Sequence, residues 1–236
     1  MLGYTLLGGL LFGLYFSLVA LGLNLVFGVM RIVNLAHGDF LMLGAFAAYG
    51  LFKLFGLNPI ASLCLAFVAF ALIAWPLYYL VVPRLLAAKD PEMLSIILFF
   101  GLSQVIEALT TIAFGTSERS IPGHVLGSGP VRLLGQSFPA AWIVGGLASG
   151  LAVLGIYLYL YRTRLGYLTR AVMGHREEAA ASGIDVHRVS AVAFGVGLAL
   201  AAVAGVFAPF MLGSVTPAMG VDITVTSFTV IVVGSL

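Results

Sequence analysis

The first thirty residues, Met1 to Met30, carry no charged side chain. As helix they would extend about 45 Å, more than the roughly 30 Å hydrocarbon core of a bilayer. Apolar runs of spanning length recur along the whole chain, so that 61% of residues are hydrophobic and only 8% charged. A soluble domain has about a quarter charged residues. A water-soluble enzyme, a nucleic-acid binder and a disordered chain are therefore excluded. The expected fold class is all-α, a polytopic helical membrane protein with lipid as its solvent. Nothing at the N-terminus has the basic flank and short apolar stretch of a cleavable signal. The single Cys64 has no intrachain partner, so disulfides play no part.

Charges interrupting the apolar runs predict the segments. Segment 1 ends at Met30, and segment 2 runs from about Leu35 to Phe52. Segment 3 covers Pro59 to Val82 and closes at Pro83-Arg84. Segment 4 covers Met93 to Phe114. After a Gly/Pro/Ser-rich loop from Gly115 to Pro139, segment 5 covers Ala140 to Tyr161 and segment 6 Val189 to Met211. Segment 7 begins near Ile223 and has 14 residues before the sequence ends, about 21 Å of helix. That is short of a bilayer, so the chain reads as cut inside a membrane helix, with the closing helices missing. Residues 1–236 form one transmembrane domain, without a repeat visible by eye, and the 162–188 loop belongs to it.

Lysine and arginine set the orientation. Arg31, Arg84, Lys89, Arg162, Arg164, Arg170, Arg176 and Arg188 fall in one set of loops, and Lys53, Arg119 and Arg132 in the other. Eight against three assigns the Arg162–Arg188 loop to the cytoplasm and the Gly115–Pro139 loop to the outside. The N-terminus is also outside if segments 1 and 2 are simple spans.

Enzyme signatures are missing: there is no GxxxxGK[ST], HExxH, GxSxG or CxxC. No cofactor is expected, and the chain cannot hold a nucleotide by a P-loop of its own. Two stretches remain informative. The first, Gly28 to Asp39, sets Arg31, Asn34, His37 and Asp39 between two strongly apolar segments, with Gly28 and Gly38 as weak points. One reading is a polar turn at the membrane interface. The other is a discontinuous helix lining a path, tolerated at depth only where protein or a water-filled cavity satisfies its backbone. Asn34 and His37 share a face if a helical turn persists, and Asn24 belongs to it if the face continues backwards. Asp39 at the bilayer centre would cost about 2.5–3.5 kcal/mol, so it either pairs, with Arg31 the nearest candidate in sequence, or sits near an end. Glu107, three residues after Gln104, is a second intramembrane acid, either structural or part of a pathway.

The second stretch is the loop itself. Arg176 to Ser182 is a good helix former with Glu177 and Glu178 at its start, where the dipole favours them. Gly183 suits the left-handed residue that ends such a helix, and Asp185 suits the cap of segment 6. The loop is either a solvated connection or a docking element presenting Ala179 and Ala180. Segment 6 carries Ala193, Gly197, Ala201 and Gly205 at four-residue spacing, a ribbon that admits close helix approach. Gly9 with Gly13, and Gly146 with Gly150, are shorter examples.

At these stretches the sequence resembles the membrane permease subunit of bacterial branched-chain amino acid ABC importers, with urea and amide permeases as near relatives. The resemblance runs through Gly22-Leu-Asn-Leu-Val-Phe-Gly28, Ile32-Val-Asn-Leu-Ala-His-Gly-Asp39 and Met42-Leu-Gly-Ala-Phe46. It returns at Arg164-Leu-Gly166 and Ala179-Ala-Ala-Ser-Gly-Ile184. It implies a multi-pass protein of the bacterial inner membrane working with a second permease subunit, two cytoplasmic ATPases and an extracytoplasmic binding protein. It also implies a substrate path at Asn24, Asn34, His37 and Asp39. The ATPase would dock on Arg176, Glu177, Glu178, Ala179, Ala180 and Gly183. Gly183 follows Glu178 by five positions, one off the family's usual spacing. Branched-chain amino acids and urea or amides both suit a path with few fixed charges. An ion-coupled secondary transporter using Asp39, His37 and Glu107, or an intramembrane hydrolase, are readings of another class.

Overall fold

A computed structural model describes residues 2–127 and 129–234. Nine α-helices are present among them: α1 (Leu2–Met30), α2 (His37–Phe55), α3 (Pro59–Leu86), α4 (Pro91–Phe114), α5 (Ala140–Arg162), α6 (Arg164–Gly174), α7 (Arg176–Ala181), α8 (Val186–Met211) and α9 (Met219–Gly234). Six of them, α1 to α5 and α8, are long and apolar enough to cross a membrane. The chain is a multi-pass helical membrane protein. Segment 7 corresponds to α9, which starts four residues earlier than the charge pattern suggested; its last two positions, 235 and 236, lie outside the described residues.

α8 is the axis of the bundle. It packs against α1, α2 and α3, and almost every side chain from Val189 to Met211 is buried. The small-residue ribbon explains how three helices fit around it. A Cβ on Gly197 would lie 2.7 Å from the Gly22 carbonyl of α1, and one on Gly205 would overlap the Leu41 carbonyl of α2. Two glycines eight residues apart thus receive two different helices. Gly146 of α5 is filled by Leu11 of α1, whereas Gly9 and Gly13 face open space. The remaining surfaces of α3, α4 and α5 expose large apolar residues such as Leu72, Ile112 and Leu151, as a lipid-facing belt requires.

α3 does not close at Pro83 but runs on to Leu86. Proline at 83 removes the hydrogen bond that the Tyr79 carbonyl would accept. The Arg84 guanidinium takes its place, its Nη1 donating to the carbonyls of Tyr79 and Leu80. The loop after α4 also holds more structure than its breakers suggested. A 3₁₀ turn at Gly123–Leu126 precedes a hairpin of β1 (Pro130–Leu133) and β2 (Gln136–Pro139), pairing Val131 with Phe138. Its two turn residues, Leu134 and Gly135, both have positive φ, the geometry a two-residue hairpin demands. Phe138 stacks on Tyr4 at 4.7 Å, tying the hairpin to the start of α1. The hairpin marks one end of the bundle; α6 and α7 mark the other.

Candidate functional site

The stretch between α1 and α2 is not a turn at the end of the bundle. α1 stops at Met30, where Arg31 adopts a left-handed backbone with φ 56°. Residues 31–36 then lack helix altogether. When α2 begins, His37 Nε2 lies 3.1 Å from the carbonyl of Val19. Val19 precedes Met30 by eleven residues, about 16 Å along the α1 axis. The chain therefore runs back alongside α1, and α2 starts well inside the bundle. Irregular backbone at this depth must find partners for its polar groups. Val33 donates its N–H to Ser95 Oγ of α4 (3.1 Å), and Leu35 accepts from Thr224 Oγ1 of α9 (3.0 Å). The same Thr224 oxygen accepts the Gly38 N–H at 2.8 Å.

α9 also begins away from the bundle end. Val215 pairs with Arg119 in an isolated bridge beside the end of α4, and five residues later Gly220 lies against Asp39. The starts of α2 and α9 thus meet antiparallel, and only glycine fits at the contact. A Cβ on Gly38 would overlap the Gly220 carbonyl, and one on Gly220 would overlap the Asp39 carboxylate. Two helix N-termini bring partial positive charge to this point, which favours a carboxylate there.

Asn34, His37 and Asp39 are all buried, each 1% exposed or less. Val19 can only accept, so Nε2 of His37 carries the hydrogen and Nδ1 points elsewhere. Both amide atoms of Asn34, Nδ1 of His37, both oxygens of Asp39 and Oγ of Ser103 have no hydrogen-bond partner among the described residues. Ser103 and Glu107 of α4 lie within electrostatic reach of Asp39 without bonding geometry. A buried polar group left without a partner costs about 1–3 kcal/mol, so each of these atoms calls for a partner beyond the described residues or for a small shift that brings Ser103 onto Asp39.

Two expectations about neighbours are corrected. Arg31 is exposed at the end of α1 and forms no ion pair among the described residues, because residues 32–36 carry Asp39 away from it. Asn24 is not on the face that meets His37. It is exposed beside a shallow cleft of about 250 Å³ between α1 and α9, lined also by Ser17, Leu21 and Ile231. Ser95, Ser103 and Thr224 went unnoticed in the sequence, since isolated hydroxyls in apolar helices carry no pattern.

At the other end, α6 and α7 form two short helices where one was expected. Thr163 caps α6, its Oγ1 accepting from Gly166 N (3.0 Å). α7 ends before Gly183, which has φ 83° as anticipated, and Asp185 Oδ1 caps α8 by accepting from Arg188 N at 3.1 Å. Glu177, Glu178, Ala180 and Gly183 are exposed, and clefts of about 360 and 490 Å³ flank α7. Ala179 is buried beneath the helix, and Arg176 turns inward.

With this geometry, the comparisons with known proteins are specific. Residues 5–236 match the family described as the permease component of the branched-chain amino acid transport system. The chain belongs to this permease family. Similar proteins include LivH of Methanocaldococcus jannaschii, named a "probable branched-chain amino acid transport permease protein", 31% identical over 97% of this chain and 73% of that protein. BraD of Pseudomonas aeruginosa, a high-affinity branched-chain amino acid transport system permease protein, is 27% identical over 98% of this chain and 78% of its own length. LivH of Escherichia coli K12, of the same description, is 24% identical over 97% and 77%. No solved structure matches the chain. As a branched-chain permease family member, it is a transport component, and its broken α1–α2 span is the part whose geometry most needs a functional account.

Proposed function

We propose that this chain is the membrane subunit of an ATP-driven importer for branched-chain amino acids in a bacterial inner membrane. The observation that carries the reading is the interrupted span from Arg31 to Ala36, with buried Asn34, Asp39 and His37 Nδ1 beside it that have no hydrogen-bond partner among the described residues. Such groups become useful when the subunit opens. Asp39 and Asn34 offer acceptors for the α-ammonium of an amino acid, and the neighbouring Ile32 and Phe40 offer apolar contact for an aliphatic side chain. Asn24 is exposed on the α1–α9 cleft, apart from this group. The end bearing eight of the eleven Lys and Arg residues faces the cytoplasm. There Glu177, Glu178, Ala180 and Gly183 dock an ATPase, Ala179 supporting the helix from below. An extracytoplasmic binding protein delivers substrate at the hairpin end.

The test is uptake by proteoliposomes holding the complex purified with its co-purifying subunits and binding protein. Leucine accumulation that needs internal ATP supports the reading. Urea uptake in its place would redirect the substrate. Uptake driven by an ion gradient without ATP would overturn the importer.

A further inference from the structure

Arg176 belongs by sequence to the segment expected to dock an ATPase, yet its side chain does not face outward. Its Nη1 donates to the carbonyl of Val29 in the last turn of α1 (3.3 Å) and to Ser190 Oγ in the second turn of α8 (3.3 Å). Tyr78 of α3, fully buried, lies within electrostatic reach of the same guanidinium. Arg176 forms no ion pair among the described residues. A cation spent on a helix-end carbonyl and a hydroxyl suits the C-terminus of α1, where the free carbonyls and the dipole attract it. Alongside it, Met173 of α6 fills the space a Cβ on Gly28 would occupy, 2.5 Å from its Cε. One residue beyond Val29 the helix ends, and the irregular stretch leading to Asn34, His37 and Asp39 begins.

We propose that Arg176 is the positioning residue that ties α7 to the interrupted span, so that displacement of α7 is passed through the last turn of α1 to residues 31–39. The inference rests on the importer reading, and the link is a physical contact between two elements, not an intermediate position alone. Its bond to α1 carries the motion. Its bond to Ser190 of α8 is a second anchor that the link to α1 does not depend on. Met173 against Gly28 adds an apolar contact that survives when the charge is removed.

Hydrogen–deuterium exchange on the assembled complex, nucleotide-free and trapped with ATP and vanadate, tests this together with uptake per ATP hydrolysed. In the wild type, peptides covering 176–183 and 31–39 should both change exchange on trapping. In Arg176→Met, the 176–183 peptide should still respond while 31–39 no longer does, and uptake per ATP should fall roughly tenfold or more, within the usual range of coupling between sites. Arg176→Lys, whose single ammonium can serve both acceptors, should restore part of both readouts. Ser190→Ala should leave the 31–39 response near wild type, since the bond to α1 remains. A 31–39 response in Arg176→Met equal to wild type overturns the assignment, as does a loss in Ser190→Ala matching that of Arg176→Met. Silence of 176–183 in the wild-type complex would overturn the importer reading itself.

Discussion

Asp39 concentrates the conflict between folding and use. Its carboxylate is buried and without a hydrogen-bond partner among the described residues, and two helix N-termini only partly offset that cost. Asp39→Asn removes the charge and keeps the shape. It should leave thermal stability in detergent unchanged or higher while uptake falls at least about tenfold, the pattern of a group kept for function at the expense of stability. A variant that loses stability and uptake together would make Asp39 structural. Thr224 is the opposite kind of residue. Its hydroxyl accepts from Gly38 at the start of α2 and donates to the Leu35 carbonyl, sharing that hydrogen with the Gly220 carbonyl of its own helix. Thr224→Val should cost about 1–3 kcal/mol, and Thr224→Ser markedly less, as measured by denaturation in detergent. Gly38→Ala presses a methyl into the Gly220 carbonyl and should cost about 1–3 kcal/mol as well.

Among the elements, the break after α1 and the short helix α7 are the two on which the proposed function rests. α1 ends without glycine, at a left-handed Arg31, and six residues then lie outside any helix inside a membrane bundle. α4 and α9 each lend a hydroxyl to the backbone of this stretch. α7 is six residues long, too short to persist in water alone, and is held by buried Ala179 and by Arg176. Its outer face is free to change. Ala180→Trp adds bulk at an exposed position and should leave assembly into the membrane intact, while uncoupling ATP hydrolysis from uptake about tenfold or more in proteoliposomes. Wild-type transport in that variant would remove α7 from the docking surface.

For the whole molecule, the distribution of Lys and Arg predicts an orientation. With the exposed Cys64 replaced by alanine, Ser182→Cys should react with an impermeant thiol reagent only from the inner side of the membrane, and Arg132→Cys only from the outer side. Labelling of both from one side would refute the orientation. The close crossings on α8 make a second whole-molecule demand. Gly205→Leu would drive a side chain into α2 backbone around Leu41 and Ala45, and should prevent folding of the bundle, seen as loss of the monodisperse species in detergent.

Composition and uncharged runs determined by themselves that the chain is a helical membrane protein. The charges between the runs located every long helix to within a few residues. Those signals are local, because lipid solvation acts on each segment alone. Capping chemistry at Gly183 and Asp185 was legible for the same reason. The tertiary structure alone decided that residues 31–36 run back into the bundle, since nothing in that stretch encodes a direction; Ser95 and Thr224, distant in sequence, provide it. It also decided that Asn24 parts company with Asn34, His37 and Asp39, and that Arg176 faces α1. A side chain's face depends on which helix crosses there, and crossing points are set by glycines meeting carbonyls on other helices, a relation between elements that no single segment carries.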